Sequence, residues 1–147
     1  MKEHWEYFKY VFRHKRLVGR ECLRLGLYWA AIFHDWHKFL PDEWFSYVDF
    51  FYRGRTDAAG AAAYNAAFNR HIQRSRHHWQ SWVLLDFDLS ISPIPIPERH
   101  KREMLADWLG MAAALGNHPG VWYWENRDRL ILHEWSRSWF DSRIPRP

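Results

Sequence analysis

The chain contains one cysteine, Cys22, among its 147 residues, and this excludes an internal disulfide framework. A single thiol is consistent with a reducing compartment. No apolar run approaches the roughly 20 residues of a membrane-spanning helix, and the opening residues MKEHWEYFKY lack the apolar region of a signal peptide. We therefore expect a cytoplasmic protein without a membrane partner.

Two common catalytic motifs are also missing. The sequence has neither a glycine-rich phosphate-binding loop nor a GxSxG nucleophile motif. Cys22 lies in an apolar stripe with Val11, Val18 and Leu25 at helical spacing, which favours a packing role over a nucleophilic one. Candidate chemistry therefore has to come from other residue types.

Aromatic and basic residues, by contrast, are abundant. Aromatic side chains make up 19% of the chain, with 11 tryptophans, so some of them are expected to line a pocket or an interface. The formal net charge is +4, and ten histidines can add to it as the pH falls. This mild basic excess suits phosphate-bearing ligands, and it also suits weak nonspecific binding of nucleic acid.

The apolar periodicity is helical almost throughout and predicts an all-α fold of five to six helices in a single domain, residues 1–147. Alternating prolines at 93, 95 and 97 predict an extended connector in the second half. The predicted helices are a first one that ends near Gly26, a well-buried one over 27–39, one that begins at Pro41, one from a Thr56 or Asp57 cap to about Leu85, one from Pro97 to Leu115 that stops at Gly116, and one from Val121 to Phe140.

Three polar signals interrupt this apolar pattern. His34 and Asp35 follow an apolar segment. The pair is interpreted either as the capped end of a helix or as two ligands that meet at a metal ion. Asp107 lies at the margin of an apolar stripe and needs a partner, which is either an arginine or a metal. His14 is either a surface residue of a basic run or an imidazole that points inward. Together they form a mixed nitrogen and oxygen ligand set that suits a divalent Mn, Fe, Co, Ni or Mg ion.

This order of residues, His14, then His34-Asp35, then Asp107, resembles the HD superfamily of metal-dependent phosphohydrolases, and HDWHK is similar to its HDxxK variant. The resemblance implies that these four residues bind the metal. A closer resemblance, over nearly the whole chain, is to an uncharacterised HD-like family of small proteins from phages and bacteria. If the protein is encoded by a phage, the expected location is the cytoplasm of the host cell. The strings that carry the closer resemblance are YVFRHK, HDWHKFLPDEWFSY, NRHIQRSRHHWQSW, MLADWLGM and VWYWENRDRLILH.

Additional histidines follow the His-Asp pair. His71 and His78 are seven residues apart and would share one face of a continuous helix, while His77 would point about 100° away from His78. They form either one polar face of an exposed helix or a further part of the site, in which His71 and His78 contact the metal or a substrate phosphate. Because binuclear HD proteins carry extra histidines here, the resemblance implies one or two metal ions per chain, with His71 and His78 as ligands.

The resemblance implies a phosphohydrolase that acts on a phosphoester, with a nucleotide or deoxynucleotide as the expected substrate. Asp35 and Lys38 are the candidate catalytic residues, and Lys38 would stabilise charge electrostatically instead of donating a proton. The other candidate substrate-binding residues are Arg70, Arg74, Arg76 and Trp79. A di-iron HD-type oxygenase and a noncatalytic nucleic-acid-binding protein remain as alternatives.

Overall fold

The first helix, α1 (Lys2–Arg24), carries a buried stripe along most of its length in the computed structural model, which describes residues 1–147. Val11, His14, Val18 and Cys22 recur at spacings of three and four residues, and all four are buried. The helix ends just before Gly26, whose φ of 74° is accessible to glycine without strain. The predicted stripe and the break at Gly26 are confirmed, and His14 is buried, which is one of the two alternatives that the sequence left open.

Six further α-helices and one small antiparallel sheet complete the fold. The chain is 67% helical, so the predicted helical character is confirmed, with seven helices instead of five or six and a two-stranded sheet that was not predicted. The elements are α2 (Tyr28–Phe33), α3 (Pro41–Tyr52), α4 (Ala58–Arg74), β1 (Val83–Leu85), β2 (Ile91–Pro93), α5 (Glu98–Leu115), α6 (Val121–Asn126) and α7 (Glu134–Asp141), and β1 pairs with β2 in the register Val83↔Pro93. None of the helices combines the length and the hydropathy that crossing a bilayer requires.

Several helix ends have the signals that the sequence predicts. Pro41 occupies the first turn of α3, and Asp57 caps α4 by accepting a 2.7 Å hydrogen bond from the Gly60 amide. Helix α5 ends at Gly116, which adopts the left-handed conformation with φ of 71°.

Three apolar clusters surround a polar interior. One lies between α1, α3 and α4, a second between α1, α2 and α5, and the largest between α5 and the C-terminal helices. Their buried members are Tyr7, Val11, Tyr47, Val48 and Ala67 in the first; Val18, Cys22, Ala30 and Ala106 in the second; and Trp82, Ile96, Met104, Leu105, Tyr123, Leu130, Leu132, Phe140 and Ile144 in the third. The polar residues singled out in the sequence lie where these clusters meet.

The predicted well-buried helix over residues 27–39 is wrong in extent and in burial. Helix α2 stops at Phe33, and a short 3₁₀ turn (Trp36–Phe39) follows. Between them Asp35 adopts a left-handed backbone conformation with φ of 52°, which an α-helix cannot contain. Most apolar side chains of α2 are exposed, including Trp29 at 72%.

The fourth helix ends at Arg74 and not near Leu85. Ser75 is extended, and its hydroxyl lies 2.6 Å from Nε2 of the buried His37. The hydroxyl of Ser81 donates to the carbonyl of Ile72, so side chains satisfy the end of the helix. Tertiary hydrogen bonds therefore override a sequence pattern that is helical for another ten residues.

The predicted last helix, from Val121 to Phe140, is two helices. Residues between α6 and α7 leave the helical path, and the guanidinium of Arg137 donates to the carbonyls of Arg127 and Leu130. These bonds provide the partners that a continuous helix would have supplied.

We expect the Gly110→Ala variant to be destabilised, because α1 and α5 touch at this position. An added Cβ would lie 2.9 Å from the Cα and the backbone nitrogen of Val18, where only backbone movement could relieve the clash. Overpacking of this kind costs about 1–3 kcal/mol, which urea unfolding would measure. Ala62→Met, at an exposed position of α4, is the control and should leave the urea concentration at the midpoint of unfolding unchanged. An unchanged midpoint for Gly110→Ala would contradict close packing of the two helices.

Candidate metal centre

The carboxylate of Asp35 lies at the centre of the polar interior. The turn that ends α2 places Asp35 and His34 inside the protein, and the two residues are 3% and 2% exposed. Each oxygen of the Asp35 side chain faces a different set of histidines. These two sets are described below as the first and the second ligand group.

The first ligand group consists of His14 from α1, His34 from the turn and Asp107 from α5. Oδ1 of Asp107 lies 3.3 Å from Nε2 of His14 and 3.5 Å from Nε2 of His34. Oδ2 of Asp35 lies 3.7 Å and 3.5 Å from the same two nitrogens. The ligand atoms of His14, His34 and Asp107 come from three separate elements and lie within 4.8 Å of one another, and Asp35 lies beside the two histidines.

The second ligand group consists of Asp35, His71, His77 and His78. Oδ1 of Asp35 lies 3.7 Å from Nε2 of His71 and 3.4 Å from Nε2 of His77. The Nε2 atoms of His71 and His78 are 2.8 Å apart. His71 is on the last turn of α4, and the other two histidines are on the turn that follows it.

These spacings and the hydrogen-bond pattern fit a metal ion. Two ligand atoms that each lie about 2.0–2.2 Å from one ion are about 3–3.5 Å apart, close to the 3.3–3.7 Å separations in the first group. Nε2 of His14, His34 and His77 and the Oδ1 atoms of Asp35 and Asp107 are buried without a hydrogen-bond partner. Native proteins rarely leave buried polar atoms unpaired. The buried histidine and aspartate groups are thus close enough together to hold a metal ion.

A carboxylate outside the ligand groups connects them. Oε1 of Glu103, on α5, lies 3.3 Å from Nδ1 of His34 and 3.4 Å from Nδ1 of His77. An imidazole that donates its Nδ1 proton to a carboxylate leaves Nε2 free to bind a metal, with the ring fixed in orientation. Glu103 therefore orients one histidine of each group.

Glu43 orients a histidine of the second group, His71, in the same way. Its side chain is fully buried in the first turn of α3, and Oε2 lies 3.1 Å from Nδ1 of His71. Both of its oxygens also lie 3.0 Å from Nδ1 of His37, and Arg74 donates to it at 2.9 Å. Glu43, His37 and Ser75 thereby link α3 to the end of α4.

The electrostatic environment favours a cation between these carboxylates. Burial opposes protonation of His34, but the charges of Asp35, Asp107 and Glu103 outweigh it and raise the pKa of His34 to about 10. Burial likewise opposes ionisation of Asp35 and Asp107, yet the nearby imidazoles hold the pKa of both carboxyls well below its usual range. A metal cation would experience the same attraction.

The structure brings together every residue that the sequence predicted as a metal ligand, namely His14, His34, Asp35, His71, His78 and Asp107. The expectation that His77 points away from the site was wrong, because its Nε2 faces Asp35. That expectation assumed a continuous helix, whereas α4 ends at Arg74, before His77. Glu103 and Glu43 were missed. The position of Glu103, one turn before Asp107 on the same helix face, could have identified it.

The predicted substrate-binding residues occupy different places. Nζ of Lys38 lies 2.6 Å from Oδ2 of Asp35, at the centre. Arg70 and Arg74 are both paired with Asp42, and Arg74 also lines the first cavity described below. Arg76 and Trp79 each line a cavity beside the ligand groups.

Two cavities reach the ligand groups from different sides. The first, of about 300 Å³, is lined by His34, Asp35 and His77 together with Glu103, and it also has basic walls. Its basic residues are Arg74, Arg76, Arg99 and His100. The second cavity, of about 430 Å³, reaches His78 and Asp107 and is mainly aromatic.

Comparison with known proteins identifies one family. A family model described as "Family of unknown function (DUF5662)" matches residues 3–144, nearly the whole chain. No curated protein and no solved structure matches the chain.

We expect Glu103→Gln to weaken metal binding without unfolding the protein. An amide has nearly the same size but cannot accept from two imidazoles as a charged carboxylate does, and the loss of such a partner typically lowers metal affinity about 10–100-fold. Competition with a chromophoric chelator would measure the change. Glu98→Gln, an exposed position on the same helix, is the matched control. Equal affinities for both variants would mean that Glu103 does not orient the ligands.

Proposed function

We propose that this chain, which belongs to the family of unknown function DUF5662, is an HD-type metal-dependent phosphohydrolase. Its substrate is a small phosphoester of the nucleotide class. The first and second ligand groups would each hold one divalent ion, and Asp35 would contribute a carboxylate oxygen to both.

The single observation that carries this proposal is the position of the Asp35 side chain. Oδ2 faces His14 and His34, whereas Oδ1 faces His71 and His77. A carboxylate whose two oxygens face separate sets of ligands is a suitable bridge between two ions, and paired ions are common in enzymes that cleave phosphoesters.

The ligand atoms favour certain metals. Imidazole nitrogens and carboxylate oxygens suit Mn, Fe, Co or Ni, and Mg is favoured where oxygen ligands dominate. Cys22 is not a ligand, since burial raises the pKa of its thiol to about 12 and it packs within an apolar cluster. This set differs from the thiolate-rich sites of structural zinc.

When bound, such ions polarise a phosphoryl oxygen and generate a nucleophile from water near neutral pH. The chain itself contributes the ammonium of Lys38. Burial lowers the pKa of Lys38, but its ion pair with Asp35 and the negative charge of Asp107 outweigh burial and raise it. Lys38 is therefore held protonated, which suits stabilisation of negative charge on a phosphoryl group and does not suit proton donation.

We expect ion content to separate the two ligand groups. After loading with Mn²⁺, elemental analysis of the wild-type protein should give two ions per chain. His14→Ala and His71→Ala should each retain about one, because each removes a ligand from one group only. Asp35→Ala should lose both and keep its helical circular dichroism. Asp128→Ala, at a highly exposed carboxylate, is the control. Two ions retained by Asp35→Ala would exclude the bridge.

We expect the metal-loaded protein to release phosphate or pyrophosphate from at least one nucleotide. Asp107→Ala should abolish this activity, and Lys38→Met should lower kcat by about 10²–10³-fold, the usual cost of removing one group that stabilises developing charge. Lys9→Met, an exposed lysine of α1, should leave kcat unchanged.

Two other results would point elsewhere. Oxygen consumption with iron, in a protein that releases no phosphate with any divalent metal, would favour a di-iron oxygenase. Salt-sensitive nucleic-acid binding that a chelator leaves unchanged would favour a noncatalytic binding protein.

A further inference from the structure

The second cavity adjoins both ligand groups at its inner end. His78, of the second group, and Asp107, of the first, both line it. Oδ1 of Asp107 and Nε2 of His78 are the atoms that face other potential ligand atoms. A molecule in this cavity would therefore contact the side of the centre where the ligand atoms converge.

The first cavity borders other residues of the centre, among them His34, Asp35 and His77. Its walls also carry Arg76 and Arg99, which suit an anionic group. The second cavity has no such cations and is the better candidate for an uncharged part of a substrate.

Part of the second cavity is walled by aromatic rings, which are tilted relative to one another. The ring centroid of Trp108 lies 5.5 Å from that of Trp122 and 5.5 Å from that of Tyr123. Trp79 and Met111 also line it. Trp108 is held in place by Phe140, with ring centroids 4.9 Å apart. Aromatic side chains arranged in this way offer stacking surfaces that every nucleobase can use.

The charge of this cavity indicates which part of a ligand it accepts. No lysine or arginine lines it, so it holds no cation for a phosphate group. Polar side chains at Gln80, Asn117 and Glu125 lie among the aromatic residues, and the buried Oε1 of Gln80 has no hydrogen-bond partner. An unpaired acceptor beside aromatic walls suits the N–H groups at the edge of a base. The volume of about 430 Å³ is within the range of small-molecule sites.

We propose that the second cavity is the base-binding subsite of the enzyme, in which a purine or pyrimidine ring stacks on Trp108 and Trp122. The proposal rests on the function proposed above, since the phosphate of the same nucleotide would extend from His78 and Asp107 toward the two ligand groups. Gln80 recognises the edge of the base. Substrate selection by this cavity is therefore independent of the charge of the phosphate.

Nucleosides, which lack the phosphate, test the subsite directly. Isothermal titration calorimetry of the Mn²⁺-loaded protein with each common nucleoside should detect binding of at least one. Trp122→Ala should weaken that binding tenfold or more, while Trp122→Phe, which keeps a ring, should restore most of it. Trp135→Ala, at a 69% exposed position of α7, is the matched control and should bind as the wild type does. Ribose alone should not bind.

Kinetics separate this proposal from the proposed hydrolase. Trp122→Ala should raise KM for the nucleotide about tenfold and leave hydrolysis of glycerol phosphate, which has no ring, unchanged. Two results would overturn the subsite alone, if the protein also releases phosphate. In one, nucleosides bind but Trp122→Ala does not weaken that binding. In the other, no nucleoside binds. Nucleoside binding that depends on Trp122, in a protein without phosphate release, would support the subsite as a nucleoside site and overturn the hydrolase.

Discussion

The buried carboxylate of Asp35 is the interaction on which the rest of the structure depends. An ionised carboxylate removed from water costs several kcal/mol unless charged or hydrogen-bonding partners surround it. Its partners here come from different parts of the chain: Lys38 from the following turn, His14 from α1 and His71 from α4. Because these elements must meet at one side chain, the apolar clusters are arranged around the polar interior and do not merge into one core.

The ligand groups are held in place by an outer layer of two carboxylates. Glu43 and Glu103 contact Nδ1 atoms, so they favour the tautomer in which Nε2 of His34, His71 and His77 is unprotonated and faces inward. The two carboxylates come from α3 and α5, on opposite sides of the centre. Regular, well-packed helices therefore determine the ring orientations, even where the histidines themselves lie on irregular segments.

The accuracy of the sequence predictions follows the regularity of the backbone. His14 and Asp107 were placed correctly because each lies within a long helix, where spacing fixes the face. The orientation of His77 was wrong because α4 ends at a serine whose partner, His37, is distant in sequence. No local pattern contains that contact. Asp35 was identified as a ligand, but its position between two groups depends on a left-handed turn that a helical interpretation excludes.

The charges around the centre connect its geometry with the class of substrate. Four carboxylates, of Asp35, Glu43, Glu103 and Asp107, face two permanent cations, Lys38 and Arg74. Because the raised pKa of His34 keeps it protonated near neutral pH, this interior has one excess negative charge without metal, so it would repel a phosphate. Two divalent cations that displaced this proton would reverse the sign and leave two excess positive charges, which match the charge of a phosphate monoester. Under the proposed function, an anionic substrate would therefore bind only after the metal, and the second cavity would be left for an uncharged part of that substrate.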